Sequence, residues 1–237
     1  MTQLKVKNLV KSYHEKQVLR GAEYVFEEGK IYGILGRNGA GKTTLFQCMT
    51  KDIPYEQGEL WIAEDGSERK VDFADIGLVS ASPVLPDFLT GYEFVHFFKR
   101  LNAGEMQMEE HSTDDYFDLV RLEECDRHRL IKTYSYGMKN KLQLLCCLLK
   151  NPKIILLDEP LSSFDIIVSH DIKELLLSMK REHIILMSTH IMQLARDVSD
   201  EIVILKDGLL SEAEMGEAGE EEFEQRVLQL LESEESR

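Results

Sequence analysis

The run Gly36-Arg37-Asn38-Gly39-Ala40-Gly41-Lys42-Thr43 matches the pattern GxxxxGK[ST]. Glycines let such a loop curl until successive backbone N–H groups point inward at an anion, at the positive end of the helix that follows. Lys42 adds a point charge suited to β- and γ-phosphates, and the Thr43 hydroxyl is a hard oxygen able to ligate Mg²⁺. Thr44, next in the chain, joins the candidate phosphate-binding set. Far downstream, Ile154-Ile155-Leu156-Leu157 reads as a buried strand ending in two acids, Asp158 and Glu159. Asp158 is placed to hold magnesium through water, and Glu159 to polarise a water against a γ-phosphate. Strand-end acids are common alone; paired with the upstream phosphate loop they point to a nucleoside triphosphate.

Strands and turns must bring these residues together. Leu4, Val6 and Leu9 fall near alternation, Val18–Phe26 is a second strand around Gly21, and Glu28-Gly29-Lys30 is a turn. Ile31–Leu35 is a compact apolar strand feeding the glycine-rich loop, and Lys42 to about Met49 reads as a helix. Residues 58–79 return to strand character, best at Gly58–Ile62 and Ile76–Val79. From Asp87 to about Lys150 the apolar spacing turns helical: Phe94, Phe97, Phe98 and Leu101, then Tyr116, Leu119 and Val120, then Leu142, Leu145, Cys146 and Leu149. Strands and helices then alternate: Ile154–Leu157, a helix over Val168–Arg181, Ile184–Ser188, a helix over Met192–Val198, and Glu201–Leu205. Such alternation predicts an α/β fold with a parallel sheet and crossover helices. One domain over 1–211 is expected, with a helical part at about 87–150.

Composition narrows the function. No apolar run approaches the roughly 20 residues that cross a bilayer, and the N-terminus lacks a signal peptide's apolar core, so a cytoplasmic protein is expected. The formal charge of −15 argues against nucleic acid, whose phosphates demand a basic surface. Much of that charge sits in residues 212–237, where ten Glu face two Arg. This tail reads as a solvated acidic helix, docked weakly or not at all, although Phe223, Val227, Leu230 and Leu231 share a face. Cys48, Cys125, Cys146 and Cys147 have no CxxC spacing and read as small core residues in a reducing compartment.

Tyr134-Ser135-Tyr136-Gly137-Met138-Lys139 resembles the signature sequence of the ABC ATPase family in its YSxGMK form, and the resemblance extends from about Leu4 to Gly208. It implies a P-loop NTPase core with parallel sheet, an N-terminal antiparallel β-subdomain and an inserted helical signature subdomain. It also implies ATP and Mg²⁺ as ligands, and a head-to-tail sandwich of two ATPase subunits, alike or related. Ser135 and Gly137 would then face the γ-phosphate bound to the opposite subunit. In the family's pattern Tyr13 stacks on adenine, Ser162-Ser163-Phe164-Asp165 is the dimer-contacting loop (usually closer to SGLD), and His190 of Ser188-Thr189-His190 reaches the γ-phosphate. Asp200–Gly208 resembles the closing strand and turn.

The family implies a separate membrane permease, received by a groove around Val84–Phe98, and the YSxGMK form is most like subunits serving exporters. A non-transport assembly-factor ATPase and a regulatory subunit with weak hydrolysis are the alternatives. One departure stands out: the family's glutamine after the strand near Ile76, which contacts Mg²⁺, is replaced by Ala81. A methyl group cannot ligate a metal, which implies weakened metal contact and altered coupling. Ala81→Gln should therefore change the ATPase rate or its Mg²⁺ dependence in a magnesium titration; if neither changes, that reading is wrong.

Overall fold

The computed structural model describes residues 1–102, 112–160 and 166–213 together with Gln225, Val227 and Gln229, with backbone alone for 166–172. Strands β1 (Gln3–Tyr13) and β2 (Lys16–Glu27) form an antiparallel hairpin in which Leu4 faces Phe26 and Val6 faces Tyr24. Next come β3 (Ile31–Leu35), α1 (Lys42–Met49), β4 (Gln57–Glu64), β5 (Ser67–Lys70) and β6 (Ile76–Val79). Helices α2 (Gly91–Leu101), α3 (Thr113–Leu119), α4 (Glu124–Arg127) and α5 (Tyr136–Lys150) fall between β6 and β7 (Ile154–Asp158). The remainder is α6 (Ile166–Met179), β8 (Ile184–Thr189), α7 (Met192–Val198), β9 (Glu201–Lys206) and β10 (Leu209–Ala213).

Among the described residues these strands make two sheets. One is antiparallel, in the order β2-β1-β4-β5. The other, β10-β9-β3-β8-β7-β6, is parallel except for β10, which returns beside β9 as a hairpin. The α/β architecture with an N-terminal antiparallel sheet is thus as expected.

Central strands covered on both faces are apolar throughout, and alternate residues serve two different cores. In β7, Ile154 and Leu156 join a cluster with Phe26, Leu45 and Phe46, between α1 and the antiparallel sheet. Ile155 and Leu157 join the other, with Val95, Phe117, Leu142 and Leu145 from the helices. In β8, Ile184 and Leu186 divide from Ile185 and Met187 in the same way.

The helical faces need correction in two places. In α2 the most buried residue is Val95, with Phe94 and Phe98 packed partly against the core, whereas Phe97 and Leu101 point outward. In α3 Phe117 is fully buried while Leu119 is exposed; Val120, just after the helix, is buried as expected. Both helices present a narrow stripe to α5, so a residue one step round the helix faces solvent. The α5 face holds: Leu142, Leu145, Cys146 and Leu149 are all buried. Cys48 and Cys147 are also interior, and burial pushes their thiols up to about 11 and about 12. Cys125 differs, being exposed.

Val227 is buried among Leu35, Ala195, Ile202, Ile204 and Ala213, so at this residue the tail is docked against β9, β10 and α7. Phe223, Leu230 and Leu231 lie outside the described residues, as do Ser162, Ser163, Phe164 and Asp165.

The helices lie tight on the parallel sheet at Gly77, where an added Cβ would meet Cys147 Sγ at 2.3 Å and Pro152 Cγ at 2.8 Å. Gly77→Ala should therefore destabilise the fold by roughly 1–3 kcal/mol through overpacking, read as a lower urea midpoint; an unchanged midpoint would contradict the packing.

Candidate nucleotide-binding site

The phosphate loop runs from the end of β3 to the start of α1. Gly39 and Gly41 adopt φ of +82° and +108°, left-handed backbone that glycine reaches without strain. Close quarters constrain two positions: a Cβ on Gly36 would meet the Leu205 carbonyl at 2.8 Å, and one on Gly41 would meet Val18 Cγ1 at 2.6 Å. Ala40 N–H closes a turn on the Arg37 carbonyl at 3.0 Å. Arg37, Asn38 and Gly39 are exposed at its crest.

Lys42, 7 % exposed, donates to the Gly36 carbonyl at 2.8 Å and lies 3.5 Å from Glu159 Oε1. A buried ammonium requires such anionic or carbonyl partners, and phosphate oxygens offer the same complement. The Thr43 hydroxyl donates to Asp158 Oδ2 at 2.9 Å, so the two candidate magnesium ligands are adjacent. Hydroxyl and carboxylate oxygens in that arrangement suit a small hard cation that keeps part of its water shell. Thr44 is partly buried one residue on.

Glu159 follows Asp158 with φ +50°, sparsely populated for any residue but glycine. Its backbone N–H donates to both the carbonyl (3.2 Å) and the hydroxyl (3.0 Å) of Ser188. The Ser188 hydroxyl in turn donates to Asp158 Oδ1 at 2.6 Å. Glu159 Oε2 lies 2.9 Å from His190 Nδ1. Lys42, Thr43, Asp158, Glu159 and His190 thus form one cluster, as the motifs imply. Ser188 is the member that sequence reasoning passed over: it was visible beside His190, but nothing in the chain indicated what its hydroxyl would touch.

Three predicted residues stand apart. Ser135 caps α5, accepting from Met138 N–H at 3.2 Å, with Gly137 in that helix's first turn. This end of α5 contacts the segment after β6, through the Tyr136 hydroxyl donating to the Ala81 carbonyl and Lys139 pairing with Asp87 at 3.1 Å. Tyr13 ends β1, 43 % exposed, with Lys11 Nζ 5.1 Å from its ring centroid.

A family model described as ABC transporter matches residues 19–162. The uncharacterized ABC transporter ATP-binding protein YxlF of Bacillus subtilis is 31 % identical over 88 % of this chain and 69 % of its own length. The lantibiotic transport ATP-binding protein SrtF of Streptococcus pyogenes is 29 % identical over 95 % of this chain and 97 % of its own. A solved dimeric structure of MJ0796, a bacterial ABC transporter cassette, superposes with a TM-score of 0.74 at 24 % identity, covering 88 % of this chain and 96 % of that one.

Because Ser188 holds both acids, Ser188→Ala should lower kcat for ATP about tenfold while leaving KM within about twofold. Steady-state kinetics check this; a raised KM with kcat unchanged would mean that Ser188 serves binding instead.

Proposed function

The chain belongs to the ABC transporter family as an ATP-binding and ATP-hydrolysing subunit, and on that premise we propose that it closes as a sandwich dimer on Mg-ATP to power a separate membrane permease that exports its substrate. The observation that carries this reading is the single cluster of Lys42, Thr43, Asp158, Glu159 and His190.

In this reading the loop from Gly36 to Thr44 cradles the phosphates, Lys42 neutralises the β- and γ-oxygens, and Tyr13 stacks on the adenine. Glu159 Oε2 orients and polarises the attacking water, and His190 positions both that carboxylate and the γ-phosphate. Thr43 and Asp158 would hold magnesium, which supplies charge neutralisation at the phosphates.

Support for the sandwich comes from α5. Ser135, exposed, and Gly137, partly exposed, lie at the start of a fifteen-residue helix, which leaves them available to a second subunit's nucleotide. A relative of the same fold is described as dimeric.

No helix among the described residues is long and apolar enough to cross a membrane. A groove of about 340 Å³ lined by Met49, Leu78, Leu85, Phe94, Phe98 and Cys147 suits an apolar permease helix. Val84 (94 % exposed) and Phe88 (78 % exposed) stand on the same segment. Export is supported by the Tyr134–Lys139 signature and by a relative named for lantibiotic transport. Through the permease the subunit would sit at the cytoplasmic face of the membrane.

Mg-ATP hydrolysis should rise faster than linearly with protein concentration, fall to background in Glu159→Gln and stop when EDTA removes the metal. Linear dependence would contradict the sandwich, and activity surviving Glu159→Gln would contradict the role of Glu159.

A further inference from the structure

The segment that follows β6 has no glutamine of its own, yet a glutamine amide holds its first residue. Gln143, two turns into α5, accepts from Ser80 N–H through Oε1 at 3.4 Å and donates through Nε2 to the Ser80 carbonyl at 3.3 Å. The same Nε2 donates to Asn140 Oδ1 at 3.3 Å, and Asn140 is 5 % exposed, so the amide is oriented from beneath. One helical turn before Asn140, the Tyr136 hydroxyl grips the next residue through the Ala81 carbonyl. One helix therefore holds the backbone of two successive residues of the segment.

Both ends of this clamp sit at informative places. β6 pairs with β7 so that Val79 lies opposite Leu157, which puts Ser80 one step past the end of β6, at the level of Asp158. At its other end α5 begins with Ser135 and Gly137, and Gln143 also lines the apolar groove.

We propose that Gln143, with Tyr136, is a positioning residue that makes the segment after β6 and the signature end of α5 move as one body, so that ATP-driven closure is transmitted through an amide on α5 rather than through a side chain of the segment itself. The proposal rests on the sandwich reading above, because only there does a displacement of Ser135 matter to catalysis. The hydrogen bonds of Gln143 go to Ser80 and Asn140 and not to Lys42 or His190, so it acts on closure and not on nucleotide affinity.

The test uses the full chain carrying Glu159→Gln, with and without Gln143→Leu, a substitution that keeps volume and removes both hydrogen bonds to Ser80. Hydrogen exchange should show Ser80 N–H less protected in Gln143→Leu. ATP-driven dimerisation, followed by size-exclusion chromatography with light scattering, should need about tenfold more ATP, while binding of a fluorescent ATP analogue to the monomer is unchanged. Tyr136→Phe should shift dimerisation in the same direction, and Gln143→Glu, which keeps the acceptor for Ser80 N–H, should fall between parent and Gln143→Leu.

Unchanged exchange at Ser80, or faster exchange with dimerisation like the parent's, would overturn the proposal while leaving the sandwich intact. Loss of monomer nucleotide binding would also overturn it, placing Gln143 in the binding site. A parent that never dimerises on ATP would overturn the sandwich reading and this inference with it.

Discussion

Strands β3, β7 and β8 run parallel and in fixed register, and their carboxyl ends determine where every reactive group lies. Leu35 pairs with Thr189 and Asp158 pairs with Ser188, so the phosphate loop, the two acids and the histidine all leave the sheet at one level. Parallel strands covered on both faces are held by main-chain hydrogen bonds and by two apolar cores at once. A slip of one residue would send Ile155 and Leu157 into the wrong core. Burial therefore pins the register, and the register assembles the site.

Within that frame the polar groups hold one another. A nearly buried ammonium, a nearly buried carboxylate and a fully buried hydroxyl are each costly alone and tolerable only as a connected set. Lys42 faces Glu159, Thr43 and Ser188 both donate to Asp158, and Ser188 also accepts from the Glu159 backbone. That last contact holds Glu159 in left-handed backbone, turning its carboxylate toward Lys42 and His190 and away from the line of β7. Strain of this kind persists only where the surroundings over-determine it.

The helices between β6 and β7 connect this site to the rest of the molecule. They pack on one face of the parallel sheet through α5, whose far end closes with Asn151 in left-handed backbone and whose near end is capped by Ser135. Because Gly77 lets α5 lie directly on β6, the same helix lines the apolar groove and reaches Ser80. One helix therefore touches both the groove and the segment after β6.

The linear order of residues by itself determined the phosphate loop, the two acids, the signature and the alternating core, because each depends on neighbours a few residues apart and on the period of the apolar pattern. The α5 face was legible for that reason. In α2 and α3 the periodicity was right, but only the tertiary structure decided which residues point inward, burying Val95 and Phe117 in place of Phe97 and Leu119. Spacing gives the period of a helix; the direction of its buried face is set by what it packs against. The contacts of Ser188 and Gln143 were equally invisible, and the tail's apolar face did not say that Val227 would be buried. Ser188 is 30 residues from Asp158, and Gln143 is 63 residues from Ser80. Hydrogen bonds over such separations exist only once the sheet register and the packing of α5 have brought the partners together.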